Sequence, residues 1–417
     1  MPIDLESLYR DLHQHPELSW CEHRTSAVMA ELLTELGYEV TTGIAGTGLV
    51  GILRNGDGPV VFLRADMDAL PVREQTGVPY ASTAMGTDPN GEIVPVMHAC
   101  GHDIHLTCLV GAAEVLAQTS GEWMGTIVAI CQPAEERDGG AARMIEDGLL
   151  SLVPEPTVVL GQHVLNTPAG TVGAQAGIAM AACDMMEVTM HGRGGHGSMP
   201  EKTIDPVLMA ASTVVRLQSV VSREAPPSAP LAVTVGYLTA GTKSNIIPAE
   251  ARMGISVRSF DDQVRTRALS AIERIIEMEA RASGAERHPD IVYREQYPLT
   301  VNDPTATAAT MAAFQRAFGA DNVRNPGVLV GSEDVGVFSR ATGAPLVYWI
   351  LGGADPTVFA SAEAAGTLDS EIPSNHSPLF APLPQPTIDT GVRALVVAAR
   401  EWLGVRSFVR EETTSRH

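Results

Sequence analysis

Met97-His98-Ala99-Cys100-Gly101-His102-Asp103 sets a thiol and an imidazole two residues apart, just ahead of an apolar stretch with helical spacing. Glu135-Glu136 follows one strand-like run, His163 follows another, and His376 lies near the C-terminus. Thiolate, imidazole and carboxylate are the ligand types that a zinc-class divalent ion takes. A carboxylate held beside such a set without coordinating is what metal-assisted hydrolysis uses as a general base. Alone, Cys100-Gly101-His102 would read as a buried thiol beside a surface histidine. With the paired acids and the two distant histidines it completes a ligand set. Adjacent carboxylates repel unless a cation or proton separates them, so in Glu135-Glu136 one acid is expected to bind and the other to take a proton.

Other residues are weighed against that set. Asp66 and Asp68 sit two apart after a strand and so face one side of an extended chain. Asp68 is expected to hydrogen-bond a ligating histidine and orient it; Asp66 fits either role. Gly192-Arg193-Gly194-Gly195-His196-Gly197-Ser198 surrounds one imidazole with glycines, a loop that allows close approach. Asn245 is a candidate amide donor, and Arg258 could fork a carboxylate. His98 and His105 flank the cysteine motif in supporting positions. His13, His15, His23, His191, His288 and His417 have no convergent partners in the pattern. Cys108 and Cys131 read as core, and Met185-Met186 as strand filling.

These residues need elements to place them. Val60 to Leu63, Thr126 to Cys131 and residues 157–160 are short apolar runs, the pattern of strands buried on both faces. Each ends just before a candidate group, and in open α/β sheets active sites form past the carboxyl ends of strands. Residues 105–118 carry apolar side chains at helical spacing. The middle of the chain changes character. Strands are expected at 184–191, 231–239, 251–259 and 290–296, with one helix opening at Asp205-Pro206 and another from about Asp262 to Arg281. That order, β-α-β-β-α-β, is a split βαβ, ferredoxin-like unit. It divides the chain into a discontinuous α/β part, 1–183 and 298–417, and an α+β insert, 184–297. After the insert a helix is expected at 304–318, a strand at 345–351, a loop at 352–375, a helix at 387–403 and a polar tail beyond 406.

Bulk properties narrow the function. A chain of 417 residues exceeds one ordinary core, so two domains are expected. The net charge of −21 opposes nucleic acid and anionic membranes, and a carboxylate substrate would need a local arginine. No apolar run reaches the roughly 20 residues of a membrane span. There is no basic start followed by an apolar run, so no secretory signal is expected. Five scattered cysteines suit free thiols and a cytoplasmic setting. No phosphate-cradling G-x-G-x-x-G follows a strand in the first part, which disfavours a nucleotide enzyme.

Taken together, His13-Gln14-His15-Pro16-Glu17-Leu18, Arg64 to Pro71, Met97 to Asp103, Gln132 to Glu136, Gly194 to Ser198, Asn245 to Pro248, Gly331-Ser332-Glu333-Asp334 and Asn375-His376-Ser377-Pro378 resemble the M20 metallopeptidase and amidohydrolase family. The likeness is to its branch of hippurate and auxin-conjugate amidohydrolases and bacterial N-acyl-amino-acid aminoacylases. It implies a zinc-peptidase-like catalytic domain with two divalent ions (zinc, manganese, nickel or cobalt) held by Cys100, His102, Glu136, His163 and His376. It implies Glu135 as the base and an insert that dimerises and covers the cleft. It further implies that His196, with Asn245, reaches an active site, that of the same or of the partner subunit, and that Arg258 holds a substrate carboxylate. The expected reaction is hydrolysis of N-acyl amino acids to a carboxylic acid and an amino acid. The alternatives are a dipeptidase or exopeptidase with the same centre, or a binding protein that keeps a metal site. Ser82 to Val96 and Gly352 to Ser374 are longer than in many relatives and are candidates to line the acyl pocket.

Overall fold

The computed structural model describes residues 2–137 and 139–405; the expected tail and His417 lie outside them. The chain opens with helices α1 (Leu5–Gln14) and α2 (His23–Glu35), then strands β1 (Glu39–Ile44), β2 (Gly48–Asn55) and β3 (Val60–Asp66). A hairpin of β4 (Met85–Thr87) and β5 (Ile93–Pro95) precedes α3 (His102–Gln118) and β6 (Trp123–Gln132). Short helices α4 (Gly140–Glu146) and α5 (Leu149–Leu152) lead to β7 (Val158–Pro168), β8 (Val172–Gly173) and β9 (Gly177–Met180). Next come β10 (Ala182–His191), β11 (Gly195–His196), α6 (Pro206–Ser219), β12 (Leu231–Ala240), β13 (Ile246–Ile247), β14 (Glu250–Ser259), α7 (Asp262–Ala282) and β15 (Asp290–Tyr297). The chain returns through β16 (Thr300–Asn302), α8 (Pro304–Phe318), α9 (Gly336–Thr342), β17 (Leu346–Ala354), α10 (Pro356–Ala365), α11 (Leu368–Glu371), α12 (Pro384–Trp402) and β18 (Gly404–Val405).

The large sheet has the order β1-β2-β6-β3-β7-β17-β8, with β18 pairing to β6. Strands β6, β3, β7 and β17 are parallel, while β1, β2 and β8 add antiparallel edges. Both faces of the parallel strands are covered, so they carry continuous apolar runs instead of alternation. Alternate residues of β3 serve different cores. Val61 and Leu63 join Tyr9, Leu109, Leu395 and Trp349 on the face of α1, α3 and α12. Phe62 joins Ile130, Met144, Phe338 and Tyr348 on the face of α4 and α9.

The smaller sheet, β12-β14-β10-β15, is antiparallel throughout. Met186, Val188, Met253, Ile272 and Ile276 form a third core between it and helices α6 and α7. The expected helix starts are realised: the Asp205 side chain accepts from the Val207 amide, and Asp261 accepts from Gln263 and Val264.

Two expectations are corrected. Residues 352–375 are not a loop: β17 continues to Ala354, and α10 and α11 follow. The signal was present in Asp355-Pro356, a cap followed by proline at the first turn, the same signature that marks Asp205-Pro206. His163 does not lie past the end of its strand, because β7 runs on to Pro168 against β17. The final helix is unbroken from Thr387, as expected, behind a kinked lead-in from Pro384 that is non-helical at Gln385 and Pro386.

The Asp355 carboxylate accepts from the Thr357 and Val358 amides at 2.7 and 3.1 Å. Asp355→Ala should remove about 1 kcal/mol from α10. Amide hydrogen exchange across Thr357 to Ala362 should speed up accordingly; unchanged exchange there would show that the cap does not hold the helix.

Candidate metal centre

Four elements bring the candidate ligands together. Gly101, at φ 83, turns the chain between Cys100 and the first residue of α3, His102. A Cβ at Gly101 would lie 2.3 Å from Val164 Cγ1, so only glycine lets this turn press against β7. His163 projects from β7. Glu135 and Glu136 follow the end of β6. His376 is placed by Asn375, whose amide donates to the Cys100 and Val164 carbonyls at 3.2 and 3.0 Å.

The cysteine stands at the middle. Cys100 Sγ is 3.5 Å from His163 Nε2 and 3.3 Å from His376 Nε2, and His376 Nε2 is 3.2 Å from Glu136 Oε1. Ligand atoms of Cys100, His102 and His163 lie within 4.8 Å of one another, as do those of Cys100, Glu136 and His376. Two triads therefore share one sulfur. Both ring nitrogens of His102 and Glu136 Oε1 are buried without a hydrogen-bond partner among the described residues. Orphaned donor atoms of the right types, clustered and buried, fit divalent ions.

Buried carboxylates hold the turn that carries Glu135 and Glu136. Asp68 Oδ1 accepts from the Glu135 amide and Oδ2 from the Glu136 amide, both at 3.0 Å, and Ser19 Oγ donates to Oδ2 at 2.6 Å. Asp68 Oδ1 also stands 3.3 Å from His102 Nδ1, an ion-pair distance without hydrogen-bond alignment. Glu22 Oε1 accepts from the Ala134 amide at 2.8 Å, and Ala134 has φ 48, rare outside glycine. Three successive amides are thus fixed by two acids. The sequence pattern did not identify Glu22, because nothing local distinguishes it from a surface acid before a helix.

Beneath the turn lies a buried ionic cluster. Arg64 donates to Asp66, Glu333 and Asp334 at 2.6, 2.7 and 3.1 Å, and to Gln132 at 2.8 Å. Asp66 Oδ1 also meets His105 Nδ1 at 2.6 Å, so both Asp66 oxygens are engaged in orienting neighbours. His105 Nε2 accepts from the Val164 amide at 2.8 Å, which ties α3 to β7 as a supporting residue. Tyr297 donates to the Glu135 carbonyl at 2.8 Å, a link from β15 to the turn that the sequence did not signal.

Electrostatics follow from this crowding. Burial opposes a charged His102, but Asp66, Asp68 and Glu136 prevail and push it up to about 10. Burial, reinforced by Glu333, Glu136 and Asp334, holds Glu135 well above the usual carboxylate range. Burial, with Glu136, Glu135 and Asp66 nearby, raises the Cys100 thiol. Burial lifts Asp334 to about 8 against the pull of Arg64. Each raised acid would ionise more readily beside a bound cation.

The remaining site candidates divide. Arg258 lines the same cavity as Cys100, Glu135, Glu136, His163 and His376, a space of about 460 Å³. Its Nη1 donates to the Val330 carbonyl and to Ser332 Oγ at 2.9 and 3.0 Å. His196 and Asn245 do not line that cavity. Both are exposed, His196 on β11 opposite Ile246 and Asn245 just ahead of β13, where the Gly197 amide donates to the Asn245 carbonyl. Met185, expected as strand filling, lines the cavity, while Met186 fills the core. His13 is also corrected: it is buried between Asp103 at 2.6 Å and Glu74 at 3.2 Å. Burial disfavours its charge, yet these two acids push it up to about 10. His191 and His288 each meet a single surface acid, Asp290 and Glu277.

A model of peptidase family M20/M25/M40 matches residues 62–369. Thermostable carboxypeptidase 2 of Saccharolobus solfataricus is 37% identical over 348 residues, 82% of this chain and 84% of the relative. Hippurate hydrolase of Campylobacter jejuni is 38% identical over 340 residues, 80% of this chain and 85% of the relative. A solved dinuclear metal-binding peptidase of the M20 family from Bacillus subtilis superposes with a TM-score of 0.72 at 28% identity, covering 95% of this chain and 97% of that one.

Two expected outcomes probe the geometry. Asp68→Asn replaces one acceptor of the Glu135–Glu136 turn with a donor and should weaken metal affinity about 10- to 100-fold. Chelator competition measures it, and unchanged affinity would remove Asp68 from the support of the site. Arg64→Met leaves three buried acids facing one another and should cost about 3–5 kcal/mol. Its thermal midpoint should fall well below that of wild type; an unchanged midpoint would show that Arg64 does not balance the cluster.

Proposed function

The chain belongs to the M20/M25/M40 peptidase family, and from that premise we propose that it hydrolyses the amide bond of N-acyl amino acids, releasing a carboxylic acid and a free amino acid. The observation that carries this reading is the spare acid: Glu135 stands within a few ångströms of His102 and Glu136 while five other groups form the shared-sulfur cage.

In this reading Cys100, His102, Glu136, His163 and His376 hold two divalent ions, whose identity is left to availability. Such ions, when bound, acidify water and polarise a carbonyl. Glu135 takes the proton of the attacking water and passes it to the departing nitrogen. Its turn is pinned by Asp68 and Glu22, so the carboxylate is oriented before substrate arrives. Arg258 pairs with the amino-acid carboxylate, which the net charge of −21 would otherwise repel. His196 and Asn245 do not line the cavity of their own chain, which supports a reading in which each subunit supplies them to the other's centre. There His196 stabilises the developing oxyanion, an effect worth roughly 3–4 kcal/mol for a well-placed donor. That role requires a homodimer through the insert, 184–297, closing over the catalytic part formed by 1–183 and 298–417. A cytoplasmic setting belongs to the same reading, supported by five free cysteines. No helix among the described residues is long and apolar enough to cross a membrane.

A carboxypeptidase reading is favoured by one observation, the similarity to thermostable carboxypeptidase 2. Both readings use Arg258 for a terminal carboxylate and differ in what precedes the scissile bond. A panel of N-acyl amino acids and dipeptides sharing one C-terminal residue separates them. We expect the N-acyl compounds to be the better substrates by kcat/KM; preference for a free α-amine would overturn that. Glu135→Gln should retain metal yet lose about 100- to 10,000-fold in kcat. Activity near wild type would take the base role from Glu135.

A further inference from the structure

The peptide group that joins Glu135 to Glu136 is gripped at both of its polar ends. Its N–H, on Glu136, donates to Asp68 Oδ2 at 3.0 Å. Its carbonyl, on Glu135, accepts from the Tyr297 hydroxyl at 2.8 Å. A peptide unit is planar, so holding both ends fixes its tilt, and with it the angle at which the two acids leave the chain. The two grips come from different sheets. Asp68 lies two residues past β3 of the large sheet, and Tyr297 closes β15 of the smaller one.

Within the smaller sheet Tyr297 belongs to a row. Cys183 on β10 pairs with Tyr297 on one side and with Arg258 of β14 on the other. Directly paired residues point to one face, and all three line the cavity of the metal centre. Neighbouring strands lie about 4.8 Å apart, so Arg258 and Tyr297 leave the sheet about 10 Å from each other. Ladders on both sides of β10 keep that span fixed. The arginine end of the row is anchored as well, through the Val330 carbonyl and Ser332 Oγ. Burial, with the Glu135 charge beside it, raises the Tyr297 phenol, so the hydroxyl remains a donor.

We infer that Tyr297 is a positioning residue for Glu135, and that the row Arg258–Cys183–Tyr297 makes its grip depend on the substrate carboxylate. A carboxylate seated on Arg258 pins one end of the row while the scissile carbonyl of the same molecule reaches the centre. The other end of the row then holds the Glu135–Glu136 peptide at one tilt. Binding energy from a group remote from the scissile bond is thereby realised in the orientation of the base, and so in kcat. The inference deepens the N-acyl amino acid reading and rests on it, since Arg258 must hold the carboxylate.

The test measures benzoate release from N-benzoylglycine and from N-benzoylglycinamide, which differ in the carboxylate alone. Tyr297→Phe keeps the ring and removes the hydroxyl. On N-benzoylglycine its kcat should fall roughly 10- to 100-fold with KM within about two-fold of wild type. On N-benzoylglycinamide, which has no carboxylate to seat, kcat should fall less than about three-fold. Equal losses on the two substrates would overturn the coupling and leave Tyr297 a structural contact. So would a kcat within about two-fold of wild type on both. A wild type with equal kcat/KM for the two compounds would instead overturn the assignment of Arg258 to the carboxylate. Preference of wild type for dipeptides over both would overturn the N-acyl reading, so either failure is seen without any variant.

A second measurement needs neither turnover nor a change at Tyr297. In metal-loaded Glu135→Gln, N-benzoylglycine at about ten times its Kd should slow hydrogen exchange of the Glu136 amide roughly 10-fold. N-benzoylglycinamide at about ten times its own Kd should leave that exchange unchanged. Equal exchange with the two ligands would overturn the proposal.

Discussion

Buried negative charge is the constraint on which the rest of this structure depends. Asp66, Asp68, Glu135, Glu333 and Asp334 are all buried, with Glu136 next in the chain to Glu135. Like charges at such separations cannot all ionise without cations among them. Arg64 answers Asp66, Glu333 and Asp334, and His102 stands at ion-pair distance from Asp68. Removing one member of a buried pair costs several times more than a surface pair contributes, so the arrangement is all or nothing. What the protein side leaves uncompensated is the shared-sulfur cage, whose donor types fit divalent ions.

The fold meets this demand by setting each group on a rigid element. Parallel strands deliver side chains to one end of the sheet, and the helix after Cys100 presents His102 at its first turn. The turns that bear Glu135 and His376 adopt positive φ, at Ala134 and at His376 itself. Such conformations persist only where neighbours over-determine them. Here the neighbours are Glu22, Asp68 and the His376 amide bonded to the Ala99 carbonyl. Strain in these turns is balanced by buried charge-assisted hydrogen bonds, which are about twice as strong as neutral ones.

The smaller sheet contributes Arg258, Met185, Glu295 and Tyr297 to the rim of the centre, and Tyr297 bonds directly to the Glu135 carbonyl. Its own core, around Met253 and Ile272, is distinct from the two cores of the large sheet. None of the five cage residues comes from that sheet, so the cage and the rim have separate supports. His196 and Asn245 lie at the β11–β13 pair and do not line the cavity.

The sequence by itself determined the chemistry and the element order. Ligand types, the adjacent acids, the switch from continuous apolar strands to alternating ones, and cap-proline helix starts are local signals, written within a few residues of the feature they specify. Asp355-Pro356, which opens α10, is such a signal. Tertiary structure alone decided what lies across long separations. It showed that Glu22 holds the Ala134 amide, that His13 is locked between Glu74 and Asp103, that Arg64 meets Glu333 and Asp334, and that Met185 faces a cavity while Met186 faces a core. The reason is physical: a side chain's charge state and partners depend on which groups the fold buries beside it, and burial is a property of packed elements that no short stretch of chain carries.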